Sequence, residues 1–142
     1  MNRKTIVALT VVALALLLAG GVVMARSITC TGGPCNGTKR ADQITGSVVV
    51  DTINGRGGGD TIEGGNGNDT INGGGGNDTI DDFGNVPDVD TITGGKGNDT
   101  IDVREGDPND AQDKVDCGPG TDTIFFDATD LRINCEIFNP RI

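Results

Sequence analysis

The sequence predicts an all-β solenoid in which short strands alternate with glycine-rich turns. Three observations favour this fold class: a nine-residue repeat, an unusual content of glycine and aspartate, and a β-branched residue at a fixed place in each repeat. Consecutive copies occupy residues 55–63, 64–72 and 73–81, and another occupies 94–102. They closely follow the pattern G-G-x-G-x-D-x-U-x, where U is a large aliphatic residue, which is typical of a stacked turn-and-strand unit.

Each position of the repeat has a physical role. Glycine permits left-handed turns and a close approach of the backbone to an ion. The aspartate at the sixth position adds a carboxylate, and glycine carbonyls add the other hard oxygen ligands that calcium prefers. A three-residue strand follows, and its middle residue points inward. The inward residues of these four copies are Ile62, Ile71, Ile80 and Ile101.

At these residues the chain resembles the RTX, or haemolysin-type, calcium-binding repeat family. The resemblance implies a right-handed parallel β-roll with two nonapeptides in each coil, and calcium between turns that lie two repeats apart. The residues that match the family's ligand positions are Gly55, Gly57, Gly58, Asp60, Gly64, Gly65, Gly67, Asp69, Gly73, Gly74, Gly76, Asp78, Gly94, Gly95, Gly97, Asp99, Gly118, Gly120 and Asp122.

The nine-residue frame extends from residue 37 to residue 125. Two units precede the clear copies, at 37–45 and 46–54, and three more lie at 85–93, 108–116 and 117–125. Insertions at 82–84 and 103–107 interrupt the series. The predicted inward residues form two facing rows: Ile44, Ile62, Ile80, Ile101 and Ile124 against Ile53, Ile71, Ile92 and Val115.

The odd-numbered and even-numbered units differ in their turns. Odd units end their turns in Asp42, Asp60, Asp78, Asp99 and Asp122, and from the third unit onward they keep glycine at the fourth position. Among even units, the turn that ends at Asp69 alone keeps this pattern, and both insertions fall on this side. We therefore expect about three calcium ions on the odd side. Solvated acidic loops are favoured on the even side over an irregular calcium site; their acids are Asp82, Asp88, Glu105, Asp107 and Asp110.

Composition indicates that folding depends on the cation. The chain has 142 residues, a formal charge of −10, 24 glycines, and no His, Trp or Tyr. Little apolar surface is available to offset the entropy of ordering so many glycines. Aspartates stacked at roughly 4.8 Å, the spacing of paired strands, would repel one another without a cation. Calcium binding and folding are therefore predicted to be one event.

The segments outside the repeat have separate predicted roles. Residues 1–25, with Arg3 and Lys4 before an apolar run, are typical of a cleaved secretory signal, the alternative being a membrane anchor. Residues 26–36 are predicted to form a disulfide turn, and 126–142 a C-terminal cap. Four cysteines allow three pairings; we expect Cys30 with Cys35 and Cys117 with Cys135, as in an oxidising compartment.

Function is predicted to be binding rather than catalysis. The chain lacks histidine, and Ser27 and Ser47 are its serines. We expect a secreted or surface module that binds a cell-surface glycan or protein, with no nucleic-acid partner and no membrane span after signal cleavage. Alternatives are a calcium-buffering matrix protein or an accessory subunit of a surface enzyme. An outward threonine row could be a recognition surface, although threonine is also a good strand residue.

Overall fold

The structure is a computed structural model that describes residues 25–84, 88–105 and 111–140, the side chains of 137–140 excepted. The predicted signal segment, except for Ala25, lies outside these residues, as do Asp107 and Asp110. Apart from the two internal gaps, residues 25–140 contain no helix capable of crossing a membrane.

Thirteen short strands make up the regular structure of the described residues. They are β1 (Arg26–Thr29), β2 (Gly33–Asn36), β3 (Asp42–Thr45), β4 (Asp51–Asn54), β5 (Thr61–Glu63), β6 (Thr70–Gly75), β7 (Thr79–Asp81), β8 (Thr91–Lys96), β9 (Thr100–Asp102), β10 (Lys114–Asp116), β11 (Thr123–Phe126), β12 (Leu131–Ile133) and β13 (Ile137–Pro140).

The strands form two parallel sheets that the chain visits in alternation. The odd-numbered strands pair in the order β1-β3-β5-β7-β9-β11-β13, and the even-numbered strands pair in the order β2-β4-β6-β8-β10-β12. One strand from each sheet therefore completes a coil, and successive coils stack with every strand pair parallel. The predicted all-β parallel β-roll, with two nonapeptides in each coil, is confirmed.

The two inward rows form the core, in the predicted register. In the odd sheet Ile44, Ile62, Ile80, Ile101 and Ile124 are successive partners, and all are at most 1% exposed. In the even sheet Ile53, Ile71, Ile92 and Val115 are paired and equally buried. The threonines that precede them face outward: Thr52, Thr61, Thr70, Thr79 and Thr91 are exposed, and Thr100 and Thr123 are half-buried.

Both ends of the chain outside the nonapeptides add strands to the sheets. β1 pairs with β3 and β2 with β4 at the N-terminal end, where the disulfide Cys30–Cys35 joins the two segments. At the other end β12 pairs with β10 and β13 with β11. The second disulfide, Cys117–Cys135, ties the last nonapeptide to this tail. Both predicted cysteine pairings are thus confirmed.

Candidate calcium-binding edges

Two edges of the solenoid carry the turns. We call the turns that lead into the odd-numbered strands β3 to β11 the odd edge, and those that lead into the even-numbered strands β4 to β10 the even edge. The odd edge comprises residues 37–42, 55–60, 73–78, 94–99 and 117–122. The even edge comprises residues 46–51, 64–69, 82–90 and 103–113, of which 85–87 and 106–110 are not described.

On the odd edge the sixth-position aspartates form a continuous buried ladder. The backbone N–H of Asp42 donates to Oδ1 of Asp60 at 2.8 Å, and that of Asp60 donates to Oδ1 of Asp78 at 2.7 Å. The same bond joins Asp78 to Asp99 and Asp99 to Asp122, at 2.8 Å each. Every one of these side chains is at most 3% exposed. The sequence places them here because the nine-residue period returns an aspartate to one inward position in each coil.

The other carboxylate oxygen reveals what the ladder needs. Oδ2 of Asp60, Asp78, Asp99 and Asp122 is fully buried and accepts no hydrogen bond. Burying an ionised oxygen without a partner is costly, and native proteins nearly always provide one. A row of such oxygens on stacked turns therefore fits a row of cations, which would satisfy them all.

Glycine lets neighbouring odd turns come close enough to contribute backbone oxygens. Gly76 and Gly97 have φ angles of 131° and 132°, in the left-handed region. A Cβ on Gly76 would lie 1.9 Å from the carbonyl oxygen of Gly58, and one on Gly97 would lie 1.9 Å from that of Gly76. Carbonyls of successive turns thus stack beside the carboxylate ladder. Carbonyl and carboxylate oxygens together are the donor set that calcium prefers.

Protons compete with a cation for these carboxylates. Burial raises the pKa of Asp60 and Asp78, and the nearby charge of another ladder aspartate raises each further. Burial likewise raises the pKa of Asp99 to about 6. The direction is that of a desolvated acid without a counterion. Bound calcium would supply positive charge and stabilise the ionised form.

The even edge holds its aspartates by the same backbone bond, which the sequence analysis did not anticipate. The N–H of Asp51 donates to Oδ1 of Asp69 at 2.7 Å, and that of Asp69 to Oδ1 of Asp90 at 2.6 Å. Asp90 donates in turn to Asp113 at 2.9 Å. The carboxylate ladder therefore survives on both edges. The division of calcium between the edges stays a prediction.

The second oxygens of the even aspartates have varied surroundings. Oδ2 of Asp51 accepts bonds from the backbone N–H and the hydroxyl of Ser47, both at 2.7 Å, so the protein itself satisfies it. Oδ2 of Asp69 is buried and accepts none. Burial raises the pKa of Asp69 to about 7. This aspartate ends the even turn that keeps the glycine pattern.

The two long even turns bring three more acids inside, in addition to the ladder residue Asp90. Asp82, Asp88, Asp90 and Glu105 are each at most 6% exposed. For Asp82, Asp88 and Glu105 the favoured interpretation as solvated loop residues is therefore wrong. An insertion that carries acids signals that a site is possible, but its spacing does not show whether the acids face inward.

This arrangement defines a class of protein: a parallel β-roll that stacks aspartates and glycine turns along its edges, with oxygen atoms of the kind that hard cations prefer. The family model for the RTX calcium-binding nonapeptide repeat matches the chain in four copies, at residues 45–80 and 87–107. The chain thus carries RTX calcium-binding repeats, as the sequence analysis predicted. No curated protein and no solved structure matches it. The units at 37–45, 108–116 and 117–125 lie wholly or mostly outside the matched segments. Their aspartates, Asp42, Asp113 and Asp122, join the ladders by the same backbone hydrogen bond.

Proposed function

We propose that this protein is an extracellular β-roll that folds on calcium and then acts as a rigid binding module for a polar surface ligand, such as a glycan. The observation that carries the calcium part is the buried row of Oδ2 atoms on the odd edge. Asp60, Asp78, Asp99 and Asp122 would hold the ions, together with carbonyls of the intervening glycines. Calcium supplies the positive charge that these carboxylates need, and its role is structural.

Extracellular location is supported by the two disulfides. Both close within the solenoid, one at each end. Disulfides form and persist in oxidising compartments, where calcium is also available at millimolar levels to occupy weak sites. The predicted signal segment at 1–25 is the proposed route of export.

The binding part rests on a groove beside the odd edge. Asn54, Asn72, Thr93 and Asp116 are register partners on successive even strands, so they form a polar row. Arg56 and Lys96 lie on the same open groove. Amides, a hydroxyl and cations in line can hydrogen-bond the hydroxyl and carboxylate groups of a polysaccharide. The groove is built from stacked coils, so it would exist only while calcium keeps them stacked.

The test is binding of the calcium-loaded protein to an array of cell-surface glycans. The groove variant carries Asn72→Ala and Thr93→Ala. Its matched control carries Thr70→Ala and Thr91→Ala, which lie on the same two strands and the same outward face, two residues away and outside the groove lining. We expect glycan binding by the wild type and the control, and its loss in the groove variant and in chelator. Absence of any calcium-dependent ligand would instead support the matrix or calcium-buffering role.

A further inference from the structure

The turn that starts at Asp82 differs from every other described turn in its first residue. Backbone N–H groups place Gly46, Gly64, Asp82 and Val103 at equivalent positions in successive coils, each donating to the strand of the next coil. At the equivalent odd-edge position, glycine leaves room for its own turn's aspartate: a Cβ on Gly73 would lie 2.6 Å from Oδ2 of Asp78. Asp82 therefore introduces a whole carboxylate where the turns that start with glycine keep free space.

That carboxylate points into the solenoid and not into solvent. Asp82 is 2% exposed, and its Oδ1 lies 1.9 Å from where Gly64 would carry a Cβ. Neither of its oxygens accepts a hydrogen bond from a described donor. The group that it faces is the carboxyl of Asp90, itself an acceptor. Two ionised carboxylates cannot satisfy each other, so a proton or a cation must lie between them.

Two further acids complete a cluster across neighbouring turns. Carboxylate oxygens of Asp88, Asp90 and Glu105 all lie within 4.8 Å of one another. Asp88 is oriented by the backbone N–H of Gly67 in the preceding turn. Asp82 faces one member of this cluster, Asp90, and so adds a buried carboxylate next to it.

The basic side chain that lies nearest to this cluster in sequence is Arg104. Arg104 forms a salt bridge with Asp102. Arg104 is the residue before Glu105, yet its guanidinium bonds to both oxygens of Asp102 and lies 4.7 Å from the ring centre of Phe125. The cation closest in sequence is therefore engaged elsewhere.

From these contacts we propose a second kind of calcium site on the even edge, formed by the carboxylates of Asp88, Asp90 and Glu105, with Asp82 beside Asp90. It differs from the repeat sites because it uses acids of the two long turns in place of glycine carbonyls. Calcium accepts such a set, since it takes six to eight oxygen ligands and carboxylates can bind it through one or both oxygens. The site goes beyond the proposed function, whose ions lie on the odd edge.

The experiment counts bound calcium by native mass spectrometry of the exported protein at saturating calcium. The test variant carries Asp82→Asn and Glu105→Gln, which preserve side-chain size and remove two charges. The control is Asp81→Asn, an exposed neighbour outside the cluster, and circular dichroism verifies that each variant folds. We expect one ion fewer in the test variant and no loss in the control. An unchanged ion count in the folded test variant would overturn the proposal.

A second measurement does not depend on how the variants fold. Crystals of the wild-type protein grown with terbium in place of calcium should show an anomalous-difference peak among these four carboxylates. Peaks on the odd edge without one here would reject the even-edge site. A peak here without any on the odd edge would reject the odd-edge calcium of the proposed function and leave this inference standing.

Discussion

The odd and even edges hold their aspartates by the same backbone hydrogen bond, but they treat the second carboxylate oxygen differently. On the odd edge, four successive Oδ2 atoms are buried beside stacked glycine carbonyls. On the even edge, Ser47 satisfies Asp51, while Asp90 meets the extra acid Asp82. A shared backbone frame can therefore carry a regular series of ion sites on one side and individual solutions on the other.

Turn sequence accounts for the contrast. From the third unit onward, odd turns keep glycine at the fourth position, where the stacked backbones approach closely, so the same turn can repeat. The even turn 46–51 instead leaves Val48, Val49 and Val50 more than half exposed. The even turns 82–90 and 103–113 are longer than the others. The longer turns carry additional acids, of which Asp82, Asp88 and Glu105 are buried. The even turns therefore differ from one another in length and in the surroundings of their aspartates.

Of the changes proposed below, removal of calcium should have the largest effect on the stability of the fold. Each site saturated 100-fold adds roughly 2.7 kcal/mol, so three sites approach the entire stability of a typical domain. We expect chelated protein to lose its β circular-dichroism signal and to regain it with millimolar calcium. Retention of the full signal and melting temperature in chelator would show that neither edge needs its cations for folding.

Neutralising one ladder aspartate should separate the edges. Asp78→Asn keeps an Oδ1 acceptor for the N–H of Asp60, and the Oδ2 that it replaces accepts no bond. Asp78 would serve two odd-edge ions, so the loss is expected to reach about 5 kcal/mol when both sites are saturated 100-fold. Asp69→Asn is the matched even-edge change, since Asp69 has the same two features, and should cost less than half as much.

The measurement for this pair is a calcium titration of folding, followed by circular dichroism. The calcium midpoint should rise far more for Asp78→Asn than for Asp69→Asn, and Asp99→Asn should resemble Asp78→Asn. Equal midpoints, or a higher one for Asp69→Asn, would contradict the division of the edges.

The register of this fold was predictable because the nonapeptide fixes it. An aspartate and a β-branched residue at constant spacing determine which side chains face inward, and Ile62, Ile80 and Ile101 lie as expected. Strands β1, β2, β12 and β13 were not predicted, since their sequences lack the repeat. They pair because the terminal coils present unpaired strand edges to them.

The even-edge cluster shows a different limit of sequence reasoning. Residues 82–84 resembled an insertion placed before the next repeat, whereas the structure starts the turn at Asp82 itself. The N–H of Asp82 donates to the carbonyl of Asp102 at 2.9 Å, which fixes this residue at an inward position. That bond is made with the neighbouring coil, so the local sequence around Asp82 does not predict it.

Acidity should reveal the ladder aspartates in calcium-free protein. Burial raises the pKa of Asp69 from 3.8 to about 7 and that of Asp99 to about 6. Between pH 3.8 and about 7 the folded state thus binds more protons than the unfolded chain. The stability that these protonated aspartates give the calcium-free folded state is therefore present near pH 4 and lost as pH rises toward 7. We expect more β signal in chelator at pH 4.5 than at pH 7.5.

Calcium should invert that dependence, because protons and calcium compete for the same oxygens. The calcium midpoint is expected to rise as pH falls below about 7. Calcium titrations at several pH values measure this midpoint. Asp69→Asn is the control, because it removes the group with a pKa of about 7 and keeps Asp99, whose pKa is about 6. A midpoint independent of pH would mean that the buried aspartates do not bind the ions.

The smallest expected differences come from single glycines, and they test how closely the coils approach on each edge. Gly97→Ala places a Cβ 1.9 Å from the carbonyl oxygen of Gly76 on the odd edge, at a left-handed φ of 132°. Gly67→Ala on the even edge has a φ of 112°, but its nearest contact is 2.9 Å, to the backbone of Val49. Gly75→Ala, at the end of β6, meets its nearest atom at 4.0 Å and serves as the control.

The left-handed conformation alone costs an alanine about 1–2 kcal/mol, so both Gly67→Ala and Gly97→Ala should lose at least that much. Gly97→Ala must also move a carbonyl that contributes to the odd ladder, so its loss should be larger and should raise the calcium midpoint as well. Gly75→Ala should stay within about 0.5 kcal/mol of the wild type. Thermal unfolding at saturating calcium measures the stability of the three variants. An equal loss of stability in Gly67→Ala and Gly97→Ala would indicate that the two turns are packed equally closely against their neighbours.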